Sequence, residues 1–241
     1  MRIAVISDIH ANLHALETVL AAVDAEGVDA LWCLGDLVGY GPRPNECVAL
    51  MRQRADVCLA GNHDLVVLGK IDSSAFTGEA SAAATWTRRV LDADSERFLA
   101  GLEPSARAPG AELFHGSPGD PVWDYVLDKR TAFSSFRATT APLVLVGHSH
   151  VALEISDRDP LQGDQAAAGT VLELDEVRRI LNPGSVGQPR DGDPRAAWLV
   201  IDTTSRRATF CRTDYPIELT QAEMREQGLP KALSERLAQG V

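Results

Sequence analysis

From Arg2 to Asp8 the chain reads RIAVISD, an apolar and largely β-branched run of the kind found in a strand covered on both faces. Asn12 can cap the next segment, where Leu13, Leu16, Leu20 and Val23, with Val19 alongside, keep a helical stripe that Gly27 closes. DALWCLGD predicts a second strand, GYGPRPN a turn-rich loop, and PNECVALMRQR a helix with Pro44 in its first turn. DVCLAGNHD predicts a third strand ending in polar residues. This alternation implies a sheet built from crossover units. Helices are expected over Thr77–Leu91 and Ser95–Leu102.

Beyond that point the pattern changes. AELFHGSP, LVLVGHSH, ALEIS, TVLELD, VRRILNPGS, AAWLVID and RRATFCRT are short strands parted by turn residues, and their spacing suggests a second, more antiparallel sheet. DRDPLQGDQAAAG (157–169) is expected to be an exposed loop, and 215–241 a helical extension with little bearing on chemistry. The architecture expected is two sheets face to face with helices outside, a single domain over 1–241.

A hydrophobic content of 45% with 24% charged residues suits a globular chain that buries a core, and aromatics at 5% leave most packing to Ala, Val and Leu. The amino terminus lacks the pattern of a signal peptide, and no apolar run approaches a membrane span. Cys33, Cys47, Cys58 and Cys211 have no C-x-x-C spacing and are expected as free thiols in a reducing cytoplasm. The net charge of −11 argues against stable binding to nucleic acid or anionic lipid. It also makes an anionic substrate puzzling unless positive charge is added locally.

Five polar clusters each follow an apolar strand: Asp8 with His10, Asp36, Asn62-His63-Asp64, His115, and His148 with His150. Ligands gather beyond the carboxyl ends of parallel strands, so these groups are expected to meet. Singly they are weak signals, and His14 reads as an ordinary polar residue on a helix face. Together they hold five of the six histidines, each beside a carboxylate, glycine or amide. Two metal ions account for all five clusters, and the donor mix suits Mn, Fe, Zn, Ni or Co without naming one. Such a pair would concentrate positive charge where a phosphate must bind. In extended chain, residues i and i+2 share a face roughly 6.5–7 Å apart. That spacing would let His148 and His150 approach the cluster from one edge and serve different ions.

D-x-H, GD, GNHD, HG and GHSH, in this order from Asp8 to His150, resemble the calcineurin-like metallophosphoesterase superfamily. NPGSVGQPRDGDPRAAW (182–198) resembles its bacterial small phosphodiesterase branch. The resemblance covers most of the chain except the tail and implies a four-layer α-β-β-α sandwich of two mixed sheets. It implies that Asp8, His10 and His150 hold one metal and Asn62, His115 and His148 the second, with Asp36 bridging. His63 would be the proton donor to the leaving group, titrating near the ordinary value of about 6.5, and Asp64 would orient it. The implied reaction is in-line hydrolysis of a small phosphomonoester or phosphodiester by a water activated between the two ions.

The sequence departs from one part of the superfamily's pattern. Serine/threonine phosphatases and diadenosine tetraphosphate hydrolases follow GD with Asp-Arg-Gly, whereas LVGYG follows Asp36 here. That favours the small phosphodiesterase branch. Arg190 is the candidate replacement for contacting phosphate, the alternative being a surface arginine paired with Asp191 or Asp193. Trp123 and Tyr125 are expected to pack. A different class of function, a protein-binding scaffold, exists on this fold in a retromer subunit that lost the GNHD histidine. That histidine is present here.

Overall fold

The computed structural model describes residues 1–76 and 78–241, so Thr77, the expected first position of one helix, lies outside the described residues. In chain order the elements are β1 (Arg2–Ile6), α1 (Leu13–Glu26), β2 (Ala30–Cys33), α2 (Pro44–Arg54), β3 (Val57–Cys58), α3 (Asn62–Val67), α4 (Gly78–Val90) and α5 (Ala93–Ala100). They continue with β4 (Ser105–Ala108), β5 (Ala111–Phe114), α6 (Lys129–Ala138), β6 (Leu143–Leu145), β7 (Ala152–Ser156) and β8 (Gln162–Gln165). The last are β9 (Val171–Glu173), β10 (Arg179–Pro183), β11 (Ala196–Asp202), β12 (Arg207–Thr213), α7 (Ile217–Glu226) and α8 (Lys231–Glu235).

The strands form two mixed six-stranded sheets, ordered β3-β2-β1-β11-β12-β9 and β4-β5-β6-β10-β7-β8, with helices flanking them. β1, β2 and β3 run parallel through the crossovers α1 and α2, while β11 pairs antiparallel with β1. In the other sheet β6 lies parallel to both β5 and β10. Alternation along β1 divides its side chains between two apolar layers. Ile3 and Val5 meet Leu145, Leu181 and Phe210 between the sheets, whereas Ala4 and Ile6 pack under α1 with Leu16 and Val19. On the far side, Ala132 and Phe136 of α6 cover Val144, Ile155 and Ile180. Strands covered on both faces must be apolar throughout, which is why β1 and β6 read as continuous runs.

Some elements departed from expectation. The GNHD residues open α3 instead of ending a strand, and β3 is only two residues long. β8 lies within the expected 157–169 loop. All its residues are exposed, so it leaves no hydrophobic pattern and forms by backbone pairing with β7. β4 and α6 carried no sequence signal that was read. β4 depends on its pairing with β5, and α6 begins where Asp128 accepts from Thr131 N at 2.8 Å and buries only one narrow stripe. The tail carries α7 and α8, and these are not mere decoration. Met224, Leu229, Leu233 and Leu237 share a core cluster with Tyr40 and with Trp86 of α4.

The layer between the sheets sets the stability of the frame. Phe210→Ala, at a side chain 2% exposed, is expected to lower unfolding free energy by about 3–5 kcal/mol in urea titration. Val171→Thr on the exposed edge strand β9 should stay within about 0.5 kcal/mol.

Candidate metal centre

The expected site residues converge where the strands end. Asp8 and His10 follow β1, Asp36 follows β2, His115 follows β5, and His148 and His150 follow β6. Asn62 and His63 lie in the first turn of α3. The strands stop before the polar residues begin, and the chain then turns left-handed. Asp8, His10, Asp36, His148 and His150 all have φ between 49° and 63°, as do the adjacent Ala11 and Tyr40. The extended geometry expected for His148 and His150 is therefore not what brings them together. Left-handed backbone costs a non-glycine residue about 1–3 kcal/mol, so its concentration here requires support from the surroundings.

Main-chain hydrogen bonds between the loops supply that support. Asp8 N donates to Gly35 O at 3.0 Å, His10 N to Asp36 O at 2.9 Å and Ala11 N to Leu37 O at 2.9 Å. Gly187 N donates to Asp8 O at 2.9 Å, Gly147 N to His115 O at 2.9 Å and Arg190 N to His150 O at 3.0 Å. The end of β10 and the segment after it tie the two halves. Asn182 Nδ2 donates to Gly147 O at 2.7 Å, Ser185 Oγ to Asp8 O at 2.7 Å, and Asn12 Nδ2 to Gly187 O at 2.9 Å. Asn182 and Ser185 were missed by sequence reasoning; their signal was the turn-forming NPGS itself.

The buried carboxylates are each held by one oxygen and bare at the other. Asp8 Oδ2 accepts from His148 N at 3.1 Å, and Asp36 Oδ1 from His63 N at 2.9 Å. Among the described residues Asp8 Oδ1 and Asp36 Oδ2 are buried without a hydrogen-bond partner, as is His148 Nε2. The imidazoles repeat the scheme. His10 Nδ1 donates to Val38 O (3.2 Å), His115 Nδ1 to Leu34 O (2.9 Å) and His150 Nδ1 to Gln188 O (2.6 Å), because a carbonyl can only accept. When neutral, a ring held in this way presents an Nε2 lone pair inward. His10 Nε2 and His150 Nε2 stand 3.0 Å apart, acceptor against acceptor, and His115 Nε2 is 3.1 Å from Asn62 Oδ1. Such facing lone pairs are repulsive until a cation lies among them.

The donors fall into two groups, Asp8, His10, Asp36 and His150 in one, and Asp36, His115 and His148 in the other. Each group brings one atom per residue within 4.8 Å of the rest, an arrangement that could hold a metal ion. Asp36 belongs to both, with Oδ2 3.5 Å from His10 Nε2 and 3.5 Å from His115 Nε2. His148 and His150 fall in different groups. Burial pushes the Asp8 carboxyl up to about 7, against the pull of His115 and with a further push from Asp36. Burial raises Asp36 as well, reinforced by Asp64, and it holds His10 and His150 below the ordinary imidazole range. His148 is pushed down to about 2, chiefly by burial and next by His115. Neutral imidazoles and carboxyls stripped of solvent are the state a cation converts into ligands.

His63 packs between Tyr40 and Phe76, with ring centroids 4.3 and 4.4 Å away. Two expectations about it are corrected. Its pKa lies well below the usual 6.5, because burial and then the fields of Arg190 and His115 disfavour the charged ring. The expected pairing with Asp64 is not formed. Asp64 accepts instead from Gly61 N at 2.9 Å, Val38 N at 3.1 Å and Leu37 N at 3.3 Å, pinning two loops together. Among the described residues His63 Nδ1 has no partner, and Gly39 gives it room, since a Cβ there would stand 2.5 Å away.

Arg190 lies at the rim, its guanidinium donating to Gln188 Oε1 at 2.9 Å and Tyr40 Oη at 3.4 Å. It is not the surface pair considered above, for Asp191 binds Arg212 and Asp193 binds Arg195. Tyr40 and Gln188 are further residues that sequence reasoning passed over. Trp123 packs against the core beneath the first sheet's helices. Tyr125, expected to pack, is 46% exposed and stacks on the His148 ring at 4.0 Å. His14 contacts Glu223 of α7 at 3.4 Å and takes no part in the centre.

The model of the calcineurin-like phosphoesterase superfamily domain matches residues 1–206. The chain belongs to that superfamily. A crystal structure of a metallophosphoesterase from Sphaerobacter thermophilus is 45% identical, covers 100% of this chain and 99% of its own, and superposes with a TM-score of 0.92. An uncharacterised protein of Methanocaldococcus jannaschii is 35% identical over 244 residues, covering 99% of this chain and 98% of its own. A hypothetical protein of Pyrococcus horikoshii OT3, 18% identical with a TM-score of 0.81 over 100% of this chain and 98% of its own, shares the fold. Superfamily membership and the buried Asp/His cluster together support a phosphoesterase function. Among the described residues no helix is long and apolar enough to cross a membrane.

Two outcomes test the centre. Manganese affinity, measured by calorimetry, should weaken about tenfold for each pH unit below roughly 7, because the ion must displace the proton on Asp8. Gly61→Ala, whose Cβ would stand 2.0 Å from Asp36 Oδ1, should weaken it at least about tenfold at pH 8.

Proposed function

We propose that the chain is a two-metal phosphoesterase hydrolysing small phosphodiesters or phosphomonoesters, with manganese as the first metal to test. The observation that carries this reading is Asp36 Oδ2, unpartnered among the described residues and equidistant from an imidazole of each donor group. Asp8, His10, His150 and Asp36 would hold one ion, and Asn62, His115, His148 and Asp36 the other. When bound, the ions supply Lewis acidity and a water deprotonated at neutral pH.

The chain's own residues perform the remaining tasks. Arg190 carries a positive charge at the rim of the site, and its guanidinium orients a phosphate oxygen. Asn62 would contact substrate as well as the second ion. His63 Nδ1 is enclosed beside the Gly39 turn, which leaves Nε2 to meet the leaving oxygen. The free ring is neutral at pH 7, so the protonated form arises with the anionic substrate, whose charge offsets desolvation and the Arg190 field. Asp64 acts at one remove: its carboxylate fixes the Gly61 and Leu37–Val38 backbones that carry Asn62, His63 and Asp36. Residues 1–241 would form one unit, with 215–241 as its helical extension. The four free thiols support a cytoplasmic location.

Hydrolysis of bis-p-nitrophenyl phosphate with added manganese tests the reading. Asp36→Asn should abolish turnover and reduce the bound metal found by elemental analysis. His63→Ala should keep its metal and lose about 10²–10⁴-fold in kcat. If the metal-loaded chain cleaves neither diesters nor monoesters, the scaffold alternative takes precedence.

A further inference from the structure

Arg236 follows α8 in the C-terminal extension, and its guanidinium reaches Gln188 Oε1 at 3.5 Å. Arg190 donates to the same oxygen at 2.9 Å. Two cations therefore converge on one neutral amide. The acids nearest them in sequence are engaged elsewhere: Asp191 with Arg212, Asp193 with Arg195, and Glu235 with Lys231. In a chain of net charge −11, a pair of guanidiniums without a carboxylate partner among the described residues is an uncompensated positive site.

Its position relative to the metal centre is fixed by backbone contacts. Gln188, 1% exposed, accepts from His150 Nδ1 through its carbonyl at 2.6 Å and presents its side-chain amide to the arginines. Its own N donates to Ser185 Oγ at 2.8 Å, and Arg190 N donates to His150 O at 3.0 Å. The cationic pair is thus one residue's length from a candidate metal ligand. Arg236 arrives there because Leu233 and Leu237 on either side of it are buried in the cluster with Tyr40 and Met224.

We propose that Arg190 and Arg236 form a subsite for a second phosphoryl group, so that the preferred substrate carries one phosphate beyond the scissile one. A scissile phosphate at the Asp36-centred cluster leaves Arg190 near it, and Arg236, which shares Gln188 Oε1 with Arg190, adds a second positive charge beside it. Guanidinium pairs suit phosphate oxygens because their planar forks donate bidentately. The proposal rests on the phosphoesterase reading for which phosphate is cleaved; the subsite itself does not require turnover.

The test is equilibrium binding of ADP and AMP to the manganese-loaded protein by calorimetry, with manganese held in excess. The unmodified chain is expected to bind ADP at least about tenfold more tightly than AMP. Arg236→Gln should bring that ratio close to one, and Arg236→Lys should restore part of it. Arg225→Gln, at an exposed position of the same extension, should keep the wild-type ratio. Thermal melts of each variant report folding, and the Lys variant decides the matter if the Gln variant melts early. A wild-type ratio near one, or a preference for ADP that survives loss of Arg236, overturns the proposal. Arg236-dependent binding without hydrolysis of any phosphate ester upholds the subsite and removes the phosphoesterase reading.

Discussion

Buried acceptors facing one another organise this protein. Asp8 Oδ1, Asp36 Oδ2, His148 Nε2 and the inward Nε2 atoms of His10, His115 and His150 meet at one end of the sandwich. Packed apolar residues alone could not stabilise such a set, because a stripped carboxylate or facing lone pairs are costly in a low-dielectric interior. A divalent cation reverses the sign of every one of these interactions. The protein retains the arrangement by holding each group from behind, through a backbone amide for each carboxylate and through a carbonyl for three of the rings.

That scaffolding explains the backbone conformation. Left-handed residues concentrate at the site because the ligand must face inward while the same residue's main chain bonds to a neighbouring loop. The β1 and β2 loops are laced to each other, and the Asn182–Arg190 segment ties the β1 loop to the β6 loop. The two sheets underneath contribute stability through the Ile3, Leu145 and Phe210 layer, which compensates for strained turns above. The C-terminal helices add a wall beside Tyr40, so the extension shapes the rim while the strands set the centre.

The fold class and the residues that converge at the site were legible in the sequence for a common reason. Doubly covered strands leave long apolar runs, and a polar residue just beyond such a run is exceptional enough to be seen. Asp8, His10, Asp36, Asn62, His115, His148 and His150 were all visible in that way, and the structure gathers them. β8 and α6 were not legible, because their formation depends on a partner's backbone or on one narrow stripe. Asp64 shows the boundary clearly. Its type and position were noted, but its partners, the amides of Gly61, Leu37 and Val38, come from two separate loops.

Residue order thus determined which chemistry was available: apolar strands, the imidazoles and carboxylates at their ends, and the absence of an arginine after Asp36. Tertiary structure decided how those groups act. It turned the ligand-bearing loops left-handed, lowered the His63 pKa by enclosing the ring, and directed Asp64 to backbone. It also brought Arg236 from the far end of the chain beside Arg190. The physical reason is common to these cases. Desolvation, hydrogen-bond partnership and the fields of distant charges arise between segments far apart in sequence, and local pattern carries no record of which segments will touch.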